Sequence, residues 1–332
     1  MDNTPTEAEL QREIESLARL REAIGQAVVG QAEVVEQLLT TLLAGGHCLL
    51  EGVPGLGKTL LVRTLGQALD LDFRRIQFTP DLMPTDIIGT EILEEDHGTG
   101  RRTFKFQKGP VFTHLLLADE LNRTPPKTQA ALLEAMQERT VSYAGVTWPL
   151  PAPFFVLATQ NPLEQAGTYP LPEAQLDRFL LHVRVPYPDE AEEARILAMT
   201  TGSAMPDVPK VLDGAALLRL QARVRQVHVG DALLGWINRL VRITRPGDGA
   251  PEAVRDWVRW GAGPRAGQAL VLAGKARALL HGRYAVTRED VAALAAPVMR
   301  HRLLLSFAAE AEQVSADDVV TALLRAVPWP GD

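Results

Sequence analysis

Apolar and polar positions along this chain fall into two regimes. Near the amino end, Leu10, Ile14, Leu17, Leu20 and Ile24 recur at helical spacing, which predicts an amphipathic helix with one packed face. From there to about residue 188, short apolar runs alternate with helical patterns, as in an α/β layer built on a mainly parallel sheet. Predicted strands include the run around Cys48 and Leu49, "DFRRIQ" ending near Gln77, Leu115 to Ala118, "PFFVLATQ" ending before Asn161, and the apolar run after Arg178. Two stretches read as hairpins: the segment after Gln77, with turn residues Gly98 and Gly100, and Arg139 to Phe155, with a turn at Ala144-Gly145. From Asp189 onward the spacing is helical throughout. Thr287 with Asp290, and Ser315 with Asp318, predict capping boxes at two helix starts. The chain therefore divides into an α/β unit over 1–188 and a smaller all-α unit over 189–332.

One strand-to-helix junction carries chemistry. "LLEGVPGLGKTLLVRTL" fits the phosphate-loop pattern G-x-x-x-x-G-K-[ST], with Gly52, Gly57, Lys58 and Thr59 in the fixed positions. Glycines let backbone N–H groups curl around phosphate oxygens, and the helix start adds a favourable dipole. Lys58 reaches the β- and γ-phosphates in this reading, and the Thr59 hydroxyl ligates Mg²⁺. A second signal is the strand that ends on Asp119 and Glu120. We assign Asp119 to the Mg²⁺ shell and Glu120 to orienting and activating the attacking water. Alone, an acidic strand end is also a common solvent-exposed edge; behind a phosphate loop it is specific. Asn161 puts an amide beside the acids, where it either bonds the γ-phosphate or water, or simply forms a turn before Pro162. Arg178 either pairs with a nearby carboxylate or projects to a neighbouring copy's nucleotide.

"GVPGLGKT", "LLADELNRTPPKTQAALLEAMQE", "LATQNP" and "LPEAQLDRF", in this order, resemble the MoxR family of AAA+ ATPases over nearly the whole chain. The resemblance implies an α/β nucleotide-binding core followed by a helical lid. It also implies a homo-oligomeric ring, usually a hexamer, that binds ATP and ADP with Mg²⁺ and acts as a chaperone-like remodelling factor on protein clients, often with proteins carrying von Willebrand factor A domains. Gly52, Val53, Pro54, Gly55, Leu56, Gly57, Lys58 and Thr59, with Leu60 behind them, match the Walker A turn, and Asp119 and Glu120 match Walker B. Asn161 matches sensor 1 and Arg178 the arginine finger. In "WGAGPRAGQALVLAGKARALL", Arg265 matches the sensor 2 arginine, expected at the helix entrance facing the cleft. Many relatives have serine where this chain has Gly263, so a capping side chain is lost there. "GQAVVGQAEVV" resembles the adenine-contacting segment, with Val28 and Val29 as apolar walls. The two hairpins resemble inserts that line the ring's pore; the plainer reading is that they extend the sheet edge.

Composition narrows the alternatives. The net charge of −7 and the lack of an appended DNA-binding motif count against a nucleic-acid translocase. Glu120 counts against a nucleotide-gated scaffold without turnover, and no N-K-x-D motif supports a GTPase. No apolar run is long enough to cross a bilayer, the charged amino end lacks a signal-peptide core, and Cys48 has no partner, so we expect a cytoplasmic protein with no membrane insertion. The seven histidines show no metal-ligand spacing, so no metal beyond the nucleotide's Mg²⁺ is expected. The lid arginines sit among acids and read as a solvated face, and Trp257 with Trp260 read as lid core.

Overall fold

The computed structural model describes residues 7–95, 102–161, 167–201 and 207–329. Two helices open it, α1 (Glu7–Ala27) and α2 (Ala32–Leu43). Leu17, Leu20 and Ile24 of α1 are buried, as their spacing predicts. Strand β1 (Cys48–Glu51) leads into α3 (Lys58–Ala68), and β2 (Phe73–Gln77) precedes the short α4 (Pro84–Ile88). An antiparallel hairpin follows, β3 (Gly89–Glu95) with β4 (Arg102–Lys108); its expected turn residues, Gly98 and Gly100, lie outside the described residues. Next come β5 (Leu115–Asp119), α5 (Pro126–Glu138) and the second hairpin, β6 (Thr140–Tyr143) with β7 (Val146–Pro149). That hairpin turns at Ala144 and Gly145, both at positive φ, as expected. The core closes with β8 (Phe155–Gln160), α6 (Glu173–Leu176) and β9 (Leu181–Arg184).

Five strands form one parallel sheet in the order β2-β5-β8-β1-β9. Its strands read as continuous apolar runs because both faces are covered. In β1, Cys48 and Leu50 join the core beneath α1, α2 and the C-terminal helices, while Leu49 joins the core beneath α5. Burial pushes the Cys48 thiol pKa upward, consistent with a small buried hydrophobe. Since all five strands run one way, their carboxyl ends share one edge and their amino ends the other. The hairpins pair only within themselves, so they do not extend this sheet. They pack together instead, Phe106 lying 5.3 Å from both Trp148 and Tyr143 by ring centroids.

The C-terminal part is helical: α7 (Glu190–Thr200), α8 (Gly214–Gln226), α9 (Asp231–Arg242), α10 (Glu252–Trp257), α11 (Pro264–Leu280), α12 (Arg288–Met299), α13 (Phe307–Ala311) and α14 (Ala316–Ala326). Both expected capping boxes are present, and Asp189 with Glu192 adds a third at the start of α7. One small ladder interrupts the helices, β10 (Val258–Trp260) against β11 (Leu304–Leu305). A register shift between Val258 and Trp260 breaks the alternation and turns Trp260 outward. At 73% exposure, Trp260 is not core, contrary to the sequence expectation, whereas Trp257 does pack against the core. The lid sits on α1 and α2 through shared apolar packing and through Arg277, which binds Glu36 at 2.9 Å and the fully buried Asp290 at 2.7 Å. Among the described residues no helix is long and apolar enough to cross a membrane.

Candidate active site

The turn after β1 is shaped for an anion. A Cβ on Gly52 would lie 3.0 Å from the Val185 side chain and 3.2 Å from its carbonyl, so a larger residue would have to push Val185 aside. Gly55 and Gly57 sit at φ +89° and +71°, and a Cβ on either would meet nothing within 4 Å. That open side is where phosphate oxygens fit, facing the uncapped amino end of α3. Lys58 opens the helix, and its ammonium donates to the Gly52 carbonyl at 2.6 Å. Burial pushes the Lys58 pKa down, while Asp119 and Glu120 push it back up, so the ammonium lies in the field of both acids. Thr59 follows, exposed on the helix's first turn. The Thr59 hydroxyl and the Asp119 carboxylate are the hard oxygen donors a Mg²⁺ takes, so the residues fit a Mg²⁺-nucleotide.

Asp119 ends β5, and Glu120 turns away from it at φ 58°, ψ 49°. That left-handed conformation is costly for a non-glycine residue and is typical of functional sites. Thr159 of β8 ties the pair together: its hydroxyl donates to Asp119 Oδ1 at 2.6 Å and accepts from the Glu120 N–H at 2.8 Å. Arg75 binds Asp119 Oδ2 at 2.6 Å, Gln77 donates to Glu120 Oε2 at 2.6 Å, and Arg123 reaches the same oxygen at 3.0 Å. Sequence reasoning missed Arg75, Gln77 and Thr159. The available signal was the i, i+2 spacing of Arg75 and Gln77, which puts both on one face of β2 beside its register partner Asp119. Asn161 is buried just past the end of β8, the strand between β5 and β1, and so lies between the acids' strand and the loop's strand.

A cavity of about 630 Å³ opens beside Gly52 and Val53, walled by Val34, Val185, Pro186 and Tyr187. Val28 and Val29, the expected adenine walls, line a neighbouring cavity of about 920 Å³ instead, against Ala293 and Leu294 of α12. The cause is local. Val28 continues the helix by donating to Ile24 and is buried, and the chain reverses at Gly30 (φ +76°), so Val34 rather than Val28 meets the loop region. Gln31 holds this segment to the loop by donating to the Leu56 carbonyl at 2.9 Å. Glu51, on the same cavity, is held down to about 2 by the His182 imidazole, 3.0 Å away, against the opposing effect of burial, with Arg184 assisting.

A second group of side chains gathers at the opposite edge. Asp177 and Arg178 precede β9 and so lie at the amino ends of the strands, beside Gly46 and His47, which precede β1. Arg302 from the lid binds Asp177 at 2.7 Å and donates to the Phe179 carbonyl at 2.7 Å, fixing the loop that carries Arg178. Arg265 lies 3.5 Å from the Asp177 carboxylate. With Asp177 so engaged, the Arg178 guanidinium makes no ion pair with any described residue. Arg178 and Arg265 line one hollow of about 220 Å³. Arg265 was expected to face the cleft; it faces the edge away from its own phosphate loop, because the start of α11 meets the Asp177 loop there.

A family model described as "ATPase family associated with various cellular activities (AAA)" matches residues 47–181, and one described as "AAA lid domain" matches residues 251–323. The chain is 45% identical over 322 residues to "Chaperone MoxR1" of Mycobacterium tuberculosis, covering 97% of this chain and 84% of that protein. It is 34% identical to "Protein MoxR" of Paracoccus denitrificans, over 94% of this chain and 97% of the relative. A crystal structure described as that of a candidate ATPase from Cytophaga hutchinsonii superposes with a TM-score of 0.89 at 41% identity, covering 96% and 97% of the two chains.

Proposed function

The chain belongs to the MoxR-type AAA+ ATPases, and from that premise we propose that it hydrolyses ATP at sites completed by a neighbouring copy, in a ring that remodels protein clients. The observation that carries this reading is the division of charge across the sheet. Lys58, Asp119 and Glu120 stand at one edge, while Arg178, on a loop clamped by Arg302, and Arg265, at the start of α11, stand at the other. A closed head-to-tail ring, most simply a hexamer, brings one copy's arginine edge to the next copy's phosphate loop. Glu120 then takes the proton of the attacking water while Asn161 orients it, and the incoming guanidinium groups stabilise charge on the transferring phosphoryl. Thr59 and Asp119 are the groups that would hold Mg²⁺, whose contribution is to neutralise phosphate charge. Arg75, now on Asp119, and Gln77, now on Glu120, have to yield before the acids serve those roles. The paired hairpins are the elements we assign to the pore, where a client, or a partner carrying a von Willebrand factor A domain, engages. The domain division follows the same reading, with 1–188 holding nucleotide and 189–332 positioning the arginine edge.

Glu120→Gln tests the assignment. ATP binding by calorimetry should match the parent, and phosphate release should fall by ~10²-fold or more, the scale usual for a general base. Turnover at the parental rate would remove Glu120 from the mechanism.

A further inference from the structure

The lid carries a groove outside the composite site, about 730 Å³ in volume, between α9 and α11. Its floor is apolar, with Leu234, Val241 and Val271, and Leu234 remains 41% exposed. Its rim is cationic, with Arg225, Arg242 and Arg245, and no carboxylate is among its described lining residues, although the whole chain carries a net charge of −7. These three arginines are exposed, as the sequence suggested, but no acid interleaves with them among the groove's described lining residues. Of the three guanidinium groups only that of Arg245 has a described partner, the Ala262 carbonyl at 3.1 Å; those of Arg225 and Arg242 make no hydrogen bond or ion pair with a described residue, although the Arg225 carbonyl accepts from Lys275 at 2.9 Å. An apolar floor between unpaired guanidinium groups fits an acidic amphipathic helix. The groove is continuous with the arginine edge: Gln268 and Leu272 line both it and the hollow at Arg178 and Arg265.

The chain itself has a matching surface at its other edge. In α7, Glu190, Glu193, Ala194 and Leu197 follow i, i+3, i+4, i+7 spacing, one stripe of the helix. All four are exposed, Leu197 by 58%. Glu190 and Glu193 make no ion pair with a described residue. α7 starts just after Tyr187, a wall of the cavity beside the phosphate loop, and Glu192 packs against Gly30. So α7 flanks the carboxyl edge as the groove flanks the amino edge.

We propose that α7 of one copy docks, antiparallel to α9, in the arginine-rimmed groove of the next copy's lid. Leu197 rests on the floor near Leu234, and Glu190 and Glu193 meet Arg242 and Arg225. The spacings agree: Glu190 to Leu197 spans about 11 Å of helix, and Leu234 to Arg242 about 12 Å. Antiparallel packing also sets the amino end of α7 beside the carboxyl end of α9, which aligns the two backbone dipoles favourably, and Arg242 and Arg225 rather than that end hold the glutamates. The contact rests on the ring reading and gives it a second anchor beyond the nucleotide.

Cross-linking between two single variants tests it. Leu197→Cys and Leu234→Cys proteins are mixed with Mg²⁺ and a slowly hydrolysed ATP analogue, then treated with a short bismaleimide. Cys48 is fully buried, so the introduced thiols are the reactive ones. The mixture should give a covalent dimer that neither variant gives alone. In parallel, Glu193→Arg should raise the protein concentration needed for assembly at least tenfold, and adding Arg225→Glu should restore it. Parental rings with no cross-link, and unchanged assembly of Glu193→Arg, would overturn the α7 contact and leave the groove to another acidic partner. Failure of the parent protein to assemble would instead overturn the ring reading, and this contact with it.

Discussion

The two edges of one parallel sheet carry unlike chemistry. At the carboxyl edge stand a lysine, a threonine and two carboxylates, the latter held by Thr159, Arg75 and Gln77. At the amino edge Arg302 and Arg265 converge on one carboxylate, Asp177, and Arg178 lines the same hollow with no ion pair to a described residue. A four-residue strand at about 3.3 Å per residue separates the edges by about 13 Å. The same strand direction that gathers the nucleotide groups on one side exports the arginines to the other. In the proposed mechanism a single copy binds nucleotide and holds the water-activating acid, while the cation that stabilises the transition state comes from a neighbour, which makes assembly part of the chemistry.

That contrast can be broken first at Arg178. In Arg178→Ala, turnover should fall by ~10³-fold or more while ATP affinity stays near parental, because the lost guanidinium acts on a neighbour's phosphoryl group. Steady-state phosphate release and calorimetry check the two halves. Lys58→Ala should do the converse, weakening nucleotide binding by about 10- to 100-fold through loss of a charge-assisted contact. Arg265→Ala sharpens the comparison. Below the assembly concentration its ATP affinity should equal the parent's, whereas turnover in the assembled state should drop about tenfold or more. Weakened binding by the monomer would return Arg265 to its own nucleotide.

The smallest expected effect concerns the amino edge as structure. His47 accepts the Val156 N–H at 3.1 Å and donates to the Met136 carbonyl at 3.1 Å, and burial lowers its pKa from 6.5 to about 4. Unfolded chains bind that proton near pH 6.5, so this contribution to stability is complete above pH 6.5 and declines as pH falls towards 4. Across that window it amounts to on the order of 3 kcal/mol. Urea unfolding at pH 7.5 and pH 5 should give a smaller stability difference for His47→Leu than for the parent, even though the variant is less stable at both.

Local features were legible in the sequence, and features made by long-range register were not. The phosphate loop, the acids and three of the helix caps depend on neighbours a few residues away, and two of those caps were read correctly. Arg75 and Gln77 reach the acids only because β2 pairs with β5 in one register across about forty residues of chain. Val34 replaces Val28 and Val29 beside the loop because the chain turns at Gly30. Trp260 is exposed because a register shift breaks the strand's alternation. The arginine groove is invisible along the chain, where acids do interleave with the arginines, and exists only where α9 and α11 pack.

The most direct test of the divided site is complementation. Arg178→Ala subunits keep an intact phosphate loop, and Lys58→Ala subunits keep an intact arginine edge. After subunit exchange is verified by energy transfer between labelled proteins, the two are mixed over a range of ratios with ATP and Mg²⁺. Wherever a Lys58→Ala copy offers its arginine to an Arg178→Ala copy, one competent site is rebuilt, so phosphate release should rise well above that of either variant alone. Confirmed exchange with no recovery at any ratio would contradict an arginine that acts across the interface.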